Sequence, residues 1–250
     1  MSLRAQIHKK YVENGFNNDM FESYYDEYEK LDNFKINQNV ADVGGISEEA
    51  HFIMRCTAQH HLEQAFRAMK VDMEDTNVAG EKGTPYRVTK MWTGSGIDDD
   101  RELLGGRWAN KPRIAVFPNT HKMSVPITKT VDLTAVCSHH LAPFSVKFRE
   151  DSYAMISYIP EDFVLGISKL PRLVNWVSQR GWLQEELAQS LYNEISEIAH
   201  TENVYVKLFN VVHTCESLRG AKTEDGTFTT EYYGGVFSDR ELRKEVQPYR

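Results

Sequence analysis

Cysteine is scarce in this chain: three residues in 250, too few and too scattered for a disulfide framework. A reducing compartment, with thiols available to a metal, is the expectation. Positive charge is also in deficit, since 29 Lys and Arg against 36 Asp and Glu leave a net charge of −7. That excludes the global basic field that nucleic acid or an anionic membrane would select, so a polyanionic partner would need a local basic pocket. Long apolar runs are missing too. No stretch approaches the ~20 apolar residues of a membrane-spanning helix, and Met1 to Gly15 carries no apolar signal core. The expectation is a cytoplasmic protein with no nucleic-acid or membrane partner. With 41% hydrophobic and 26% charged residues, the chain can bury a sizeable core, as one domain plus an extension.

The extension is assigned to residues 1–47 and the main domain to 48–250. Phe21, Tyr24, Tyr25 and Tyr28 recur at helical spacing among acids. They suit a short helix docking on a neighbouring surface better than a platform for stacking a base, because the acids would repel phosphate. Gly44-Gly45 marks a break. A helix then starts at an N-cap Ser47 and runs to Lys70, with His61 on its apolar face and Cys56 left out of any site. Thr84-Pro85 opens another helix, which carries Arg87. The polar, Gly-rich stretch from Thr93 to Pro112, with Asp98-Asp99-Asp100 at its middle, reads as a loop and a candidate lid.

Cys137-Ser138-His139-His140 and His213-Thr214-Cys215 carry the chemistry. Val125 to Val136 reads as a strand, its stretch from Val131 to Val136 ending at Cys137, and Tyr205 to Val212 as a strand leading into His213. Residues two apart on a strand share a face, so His213 and Cys215 are expected to look at the same spot. Cys137, His140 and Cys215 form a candidate three-ligand zinc set, the number typical of a catalytic site, with His139 and His213 left over as proton carriers. Plainer roles stay open: buried thiols, a disulfide, a solvated His–His pair.

Leu170, Leu173, Val174 and Val177 stripe a helix that starts near Ser168, where a hydroxyl, Lys169 and Arg172 would gather at the positive end. This is either an anion site or a capped surface helix. A second helix, Leu183 to about His200, opens with Gln184-Glu185-Glu186. Those acids match the helix dipole, and a carboxylate there also fits the N1–H and 2-amino donor pair of guanine. Arg219-Gly220 follows Cys215, and Thr227 to Tyr233 reads as a closing strand.

Taken together and in order, these segments resemble the GTP cyclohydrolase I family: Thr84 to Met91, Cys137 to His140, Tyr158-Ile159-Pro160, Leu165 to Leu170, Gln184-Glu185, and His213 to Cys215 with Arg219-Gly220. The resemblance covers roughly Glu48 to Val246. It implies an α+β tunnelling fold, an antiparallel sheet with helices on one side, here with an N-terminal helical extension. It also implies a ring-forming homo-oligomer, usually a decamer of two pentamers with sites at subunit interfaces. By position, Cys137, His140 and Cys215 would hold Zn2+ and His139 and His213 would move protons. Glu185 with Gln184 would grip the guanine of GTP, and Ser168, Lys169, Arg172, Arg219 and Arg87 would bind its triphosphate. The activity implied is opening of the imidazole ring at C8, with loss of formate, to 7,8-dihydroneopterin triphosphate for pterin, folate or deazaguanine synthesis. The alternative is a tunnelling-fold nucleotide-binding protein without catalysis, or of altered specificity, whose zinc is structural.

Two positions depart from the family pattern. Ser138 stands where the family usually has Glu, which removes a carboxylate beside the metal. Glu186 stands where it usually has Arg, which reverses a charge near the guanine carboxylate. Both bear on rate, nucleotide preference and pathway more than on fold.

Overall fold

Ser47 caps the longest helix by accepting the Ala50 N–H on its hydroxyl at 3.1 Å. The Glu27 carboxylate in turn accepts from the Ser47 N–H at 2.6 Å and from its hydroxyl at 2.8 Å. The computed structural model describes residues 1–97, 102–218 and 226–248, and the chain divides into two compact units, Met1–Asn110 and Lys111–Arg250. Asp98 to Asp100 and Arg219 therefore lie outside the described residues.

The first unit holds α1 (Leu3–Glu13), α2 (Phe21–Lys30), α3 (Glu48–Ala68) and α4 (Thr84–Thr93). Ile7 and Tyr11 of α1, Phe21 and Tyr25 of α2, and Phe52, Ile53 and Cys56 of α3 form one buried cluster. The aromatic stretch thus docks on the chain's own α3. Phe21 and Tyr25 are buried, and Tyr24 and Tyr28 are half-buried against the same cluster. The buried part of α3 ends at Cys56, and His61, expected on an apolar face, is exposed. Pro85 sits in the first turn of α4, and Gly94, at φ +77°, closes that helix.

The second unit is built from β1 (Val116–Pro118), β2 (Ile127–Val131), β3 (Thr134–Cys137), β4 (Pro143–Ser145), β5 (Tyr153–Tyr158) and β6 (Phe163–Leu165). Then follow α5 (Leu170–Ser178), β7 (Gly181–Trp182), α6 (Gln184–Ala199), β8 (Val204–His213), α7 (Thr214–Leu218), β9 (Phe228–Tyr233) and α8 (Arg240–Glu245). The order β2-β5-β8-β4-β3-β7 makes the main sheet, with β9 on the other edge of β8 and β1-β6 a separate antiparallel ribbon. Every pairing is antiparallel except β3 with β7.

β8 is the spine. Val204 to Phe209 pair with β5, while Val212 and His213 pair with β4. A chain segment running alongside must therefore step from one neighbour to the next, and the single strand expected across Val125 to Val136 is in fact two. It breaks at Asp132-Leu133, where Leu133 is buried and its carbonyl accepts from the Val146 N–H and the Ser145 hydroxyl. α6 packs on β8 and β9, and α5 on α6 and β3. Among the described residues no helix is long and apolar enough to cross a membrane.

Candidate metal centre

Cys137 is the last residue of β3, and the turn after it is tightly specified. Its N–H donates to the Ala142 carbonyl and its carbonyl accepts from the Leu141 N–H, both at 2.9 Å. Leu141 takes φ +52°, a left-handed value uncommon for a non-glycine residue, to close the turn. The Ser138 N–H donates to the Trp182 carbonyl at 3.1 Å, tying the turn to β7. The result brings the Cys137 Sγ to 3.9 Å from the His140 Nδ1.

The other arm differs from the sequence expectation in detail. β8 ends at His213, and the Thr214 hydroxyl donates to the Pro143 carbonyl at 2.6 Å as the chain turns into α7. Cys215 therefore sits in the first turn of a helix, not two along a strand from His213. The helical turn still delivers it: ligand atoms of Cys137, His140 and Cys215 all lie within 4.8 Å of one another. All three cysteines are free thiols, so Cys137 and Cys215 form no disulfide.

This donor set fits a zinc ion. Tetrahedral coordination at ~2.3 Å to sulfur and ~2.0 Å to nitrogen needs donors roughly 3.5 Å apart, and Cys137 and His140 stand at 3.9 Å. Burial pushes the Cys215 thiol above its ordinary value, and the adjacent Cys137 sulfur pushes it further. Two sulfurs that oppose each other's ionisation are what a divalent cation relieves. Among the described residues the set stops at three donors, the number that leaves a coordination position for water or substrate.

The cluster lies in a cavity of about 540 Å³. His139 and His213 line it, as do Gln184 and Glu185 from the first turn of α6. Glu185 is exposed, whereas Gln184 is buried and bonded to its neighbours. The Gln184 Oε1 is 2.7 Å from the His213 Nε2, and its Nε2 donates to the Thr230 hydroxyl at 2.9 Å and the Phe228 carbonyl at 3.3 Å. Burial lowers the His213 pKa from its ordinary value, opposed by the negative charges of Glu216 and Glu185.

Three of the expected phosphate residues lie at the start of α5. Ser168 and Lys169 form a turn ahead of α5, which begins at Leu170 rather than Ser168, and Arg172 is exposed on the first turn. None of the three lines the Cys137 cavity. Arg87 lies on α4 in the first unit, where its Nε donates to the Lys82 carbonyl at 3.1 Å. Sequence reasoning also missed five residues around the cavity. Trp182, Leu183, Glu216 and Phe228 line it, and Phe144 stacks on His213. Leu183 and Glu216 had a signal in their positions beside Gln184 and Cys215. The other three depend on strand register, which no local pattern gives away.

A profile of the GTP cyclohydrolase I family matches residues 58–249. The chain belongs to the GTP cyclohydrolase I family. It is 32% identical over 189 residues to the protein named GTP cyclohydrolase 1 of Serratia proteamaculans (strain 568), covering 75% of this chain and 78% of that one. The GTP cyclohydrolase 1 of Blochmanniella pennsylvanica (strain BPEN) is 30% identical over 197 residues, 78% of this chain and 81% of its own length. That of Salmonella gallinarum (strain 287/91 / NCTC 13346) is 30% identical over 187 residues, 74% and 77% respectively. Of the two departures from the GTP cyclohydrolase I pattern, Ser138 sits half-buried in the metal turn, while Glu186 is exposed and off the cavity lining.

Proposed function

We propose that this chain is a zinc-dependent hydrolase that opens the imidazole ring of GTP at C8, releases formate and forms 7,8-dihydroneopterin triphosphate. The observation that carries the reading is the convergence of Cys137, His140 and Cys215 in a cavity that also holds His139, His213 and Glu185. Cys137, His140 and Cys215 would hold the zinc, whose Lewis acidity when bound brings the pKa of water down to about 7.

The chain's own groups divide the remaining work. Glu185 offers two carboxylate oxygens to the N1–H and 2-amino donors of guanine, a charge-assisted pair. Water adds at C8 while a histidine, His213 or His139, protonates the imidazole ring nitrogen, and the ring opens to a formamide. A second addition of water releases formate, and the ribose carbons rearrange and reclose onto the pyrimidine. Histidine suits these transfers because its ordinary pKa lies near neutrality.

Ser168, Lys169, Arg172, Arg219 and Arg87 are the proposed triphosphate ligands, brought to the cavity in a tunnelling-fold ring of subunits, a decamer of two pentamers. Exposed apolar groups such as Phe117 and Val116 on the β1-β6 ribbon support burial in an assembly of that kind. Residues 48–250 would form the catalytic part and 1–47 an extension of it. The product would feed pterin, folate or deazaguanine synthesis in the cytoplasm.

Incubating the zinc-loaded protein with GTP, while following pterin fluorescence and formate together, tests this reading. Both signals should rise in step. Binding of GTP with no formate released would overturn it.

A further inference from the structure

We propose that Gln184 is a positioning residue that locks His213 in its Nε2–H tautomer, so that Nδ1 is the nitrogen offered to whatever occupies the cavity. This deepens the reading above, which makes His213 a proton carrier, and reassigns Gln184 from guanine recognition.

The orientation of the Gln184 amide is decided by its surroundings. The side chain is 4% exposed, at the start of α6 against β9. Its two N–H donors are both engaged, by the Thr230 hydroxyl at 2.9 Å and the Phe228 carbonyl at 3.3 Å. A flipped amide would set its oxygen against the Phe228 carbonyl, which can only accept, so the flipped arrangement is excluded. The amide oxygen is left facing the His213 Nε2 at 2.7 Å. An amide oxygen cannot donate, so the hydrogen in that bond belongs to Nε2.

The ring is also held in its plane. Phe144 stacks on it at 4.5 Å with 7° between planes, and Phe228 meets it edge-on at 5.1 Å. Turning the imidazole over would keep both ring contacts but break the bond to Gln184. Nδ1 has no hydrogen-bond partner among the described residues and, unlike the nitrogens of His51, is not sealed from solvent. Since His213 lines the cavity, that open nitrogen is accessible from it. Gln184 itself has no N–H to spare for a base, which leaves Glu185 as the residue of this pair available to guanine.

The test uses full-length, zinc-loaded protein with 15N-labelled histidine. A His213→Asn variant identifies the His213 signals among those of the nine histidines. Two-bond 1H–15N correlations then report which nitrogen carries hydrogen, without GTP present. The expected pattern is a protonated Nε2 and a bare Nδ1 in the wild type and a mixed pattern in Gln184→Leu. Thr230→Val, which removes one anchor of the amide without touching the cavity lining, should give a partial shift toward the mixed pattern. In turnover, Gln184→Leu should lower kcat by about 10–100-fold with little change in KM, the range typical of removing a group that orients an active-site histidine. A wild-type His213 protonated at Nδ1, or a tautomer pattern unchanged in Gln184→Leu, overturns the proposal. So does a raised KM with kcat intact, which would make Gln184 a guanine ligand. Should Gln184→Leu fail to fold, the wild-type and Thr230→Val spectra still decide. A chain with the expected tautomer and no turnover would sink the hydrolase reading and leave this one standing.

Discussion

Phe144 and His213 face each other across the β4–β8 pairing and stack with 4.5 Å between ring centroids. The same register that builds the sheet therefore sets the plane of an imidazole that lines the cavity. Phe144 is fully buried, so Phe144→Ala should lose about 3–5 kcal/mol of stability. Phe144→Leu keeps most of the apolar volume and should lose the ring–ring component, about 0.5–1.5 kcal/mol. In that milder variant kcat should fall more than KM rises, because the imidazole loses its flat support while the GTP contacts persist. Urea denaturation at neutral pH beside steady-state kinetics would read both effects. Unchanged kcat in Phe144→Leu would mean that Gln184 and Phe228 hold the ring without it.

The convergence of Cys137, His140 and Cys215 predicts that metal and thiol chemistry are coupled. Stripping zinc with a strong chelator should abolish formate release and make the Cys137 and Cys215 thiols newly reactive toward a disulfide reagent, with both effects reversed by added zinc. Cys215→Ser should bind zinc substoichiometrically, since a serine hydroxyl is a poor substitute for thiolate. Atomic absorption on the purified variant is the direct check. Wild-type metal content there would remove Cys215 from the ligand set.

Much of this site was legible in the sequence because its ligands come in short local groups. A cysteine and a histidine three apart need only one turn to converge, and His213-Thr214-Cys215 stay neighbours whether the chain continues as strand or turns into helix. The helix start at Ser47, and the one read at Leu183 and found at Gln184, were also readable, since caps and apolar stripes are local signals. What could not be read was anything set by pairing. The break at Asp132-Leu133 exists because β8 changes partners along its length. Phe144 reaches His213 only through the β4 register, and Gln184 reaches it only because β9 closes over the start of α6. That Ser168, Lys169 and Arg172 are not part of the cavity lining is likewise a matter of tertiary arrangement, invisible to spacing.

Glu185 and Glu186 are adjacent in sequence and both exposed, yet only Glu185 lines the cavity. The pair is therefore an internal control. Glu185→Ala should weaken GTP binding by the worth of charge-assisted hydrogen bonds, about 1.5–3 kcal/mol or roughly 10–150-fold in Kd, while zinc content stays at the wild-type level. Glu186→Ala, altering a solvated side chain off the lining, should stay within about 0.5 kcal/mol of wild type in stability and bind GTP as the wild type does. Calorimetric titration with a non-hydrolysable GTP analogue separates the two. Equal losses in both variants would point to a diffuse field at the α6 terminus in place of a directed contact.

His51 sets a pH limit on the first unit. It is fully buried on α3 against Trp108, with 5.2 Å between ring centroids. Among the described residues neither ring nitrogen has a hydrogen-bond partner, although the Thr93 backbone is near enough to favour the charged ring slightly. Burial, with a smaller push from the Arg55 charge, lowers its pKa to about 3 from an ordinary 6.5. The folded chain thus keeps this ring neutral where the unfolded chain protonates it. Its contribution to stability is intact above pH 6.5 and is lost as pH falls from there toward 3, at a slope of up to about 1.4 kcal/mol per pH unit for the one proton. His51→Phe keeps a ring against Trp108 and removes the proton site, so it should flatten that part of the stability profile. Other acids titrate in the same range, and the difference between wild type and variant isolates the His51 share. Urea midpoints at several pH values between 4 and 7 measure it, and parallel profiles for the two proteins would show that His51 protonates in the folded state without opposition.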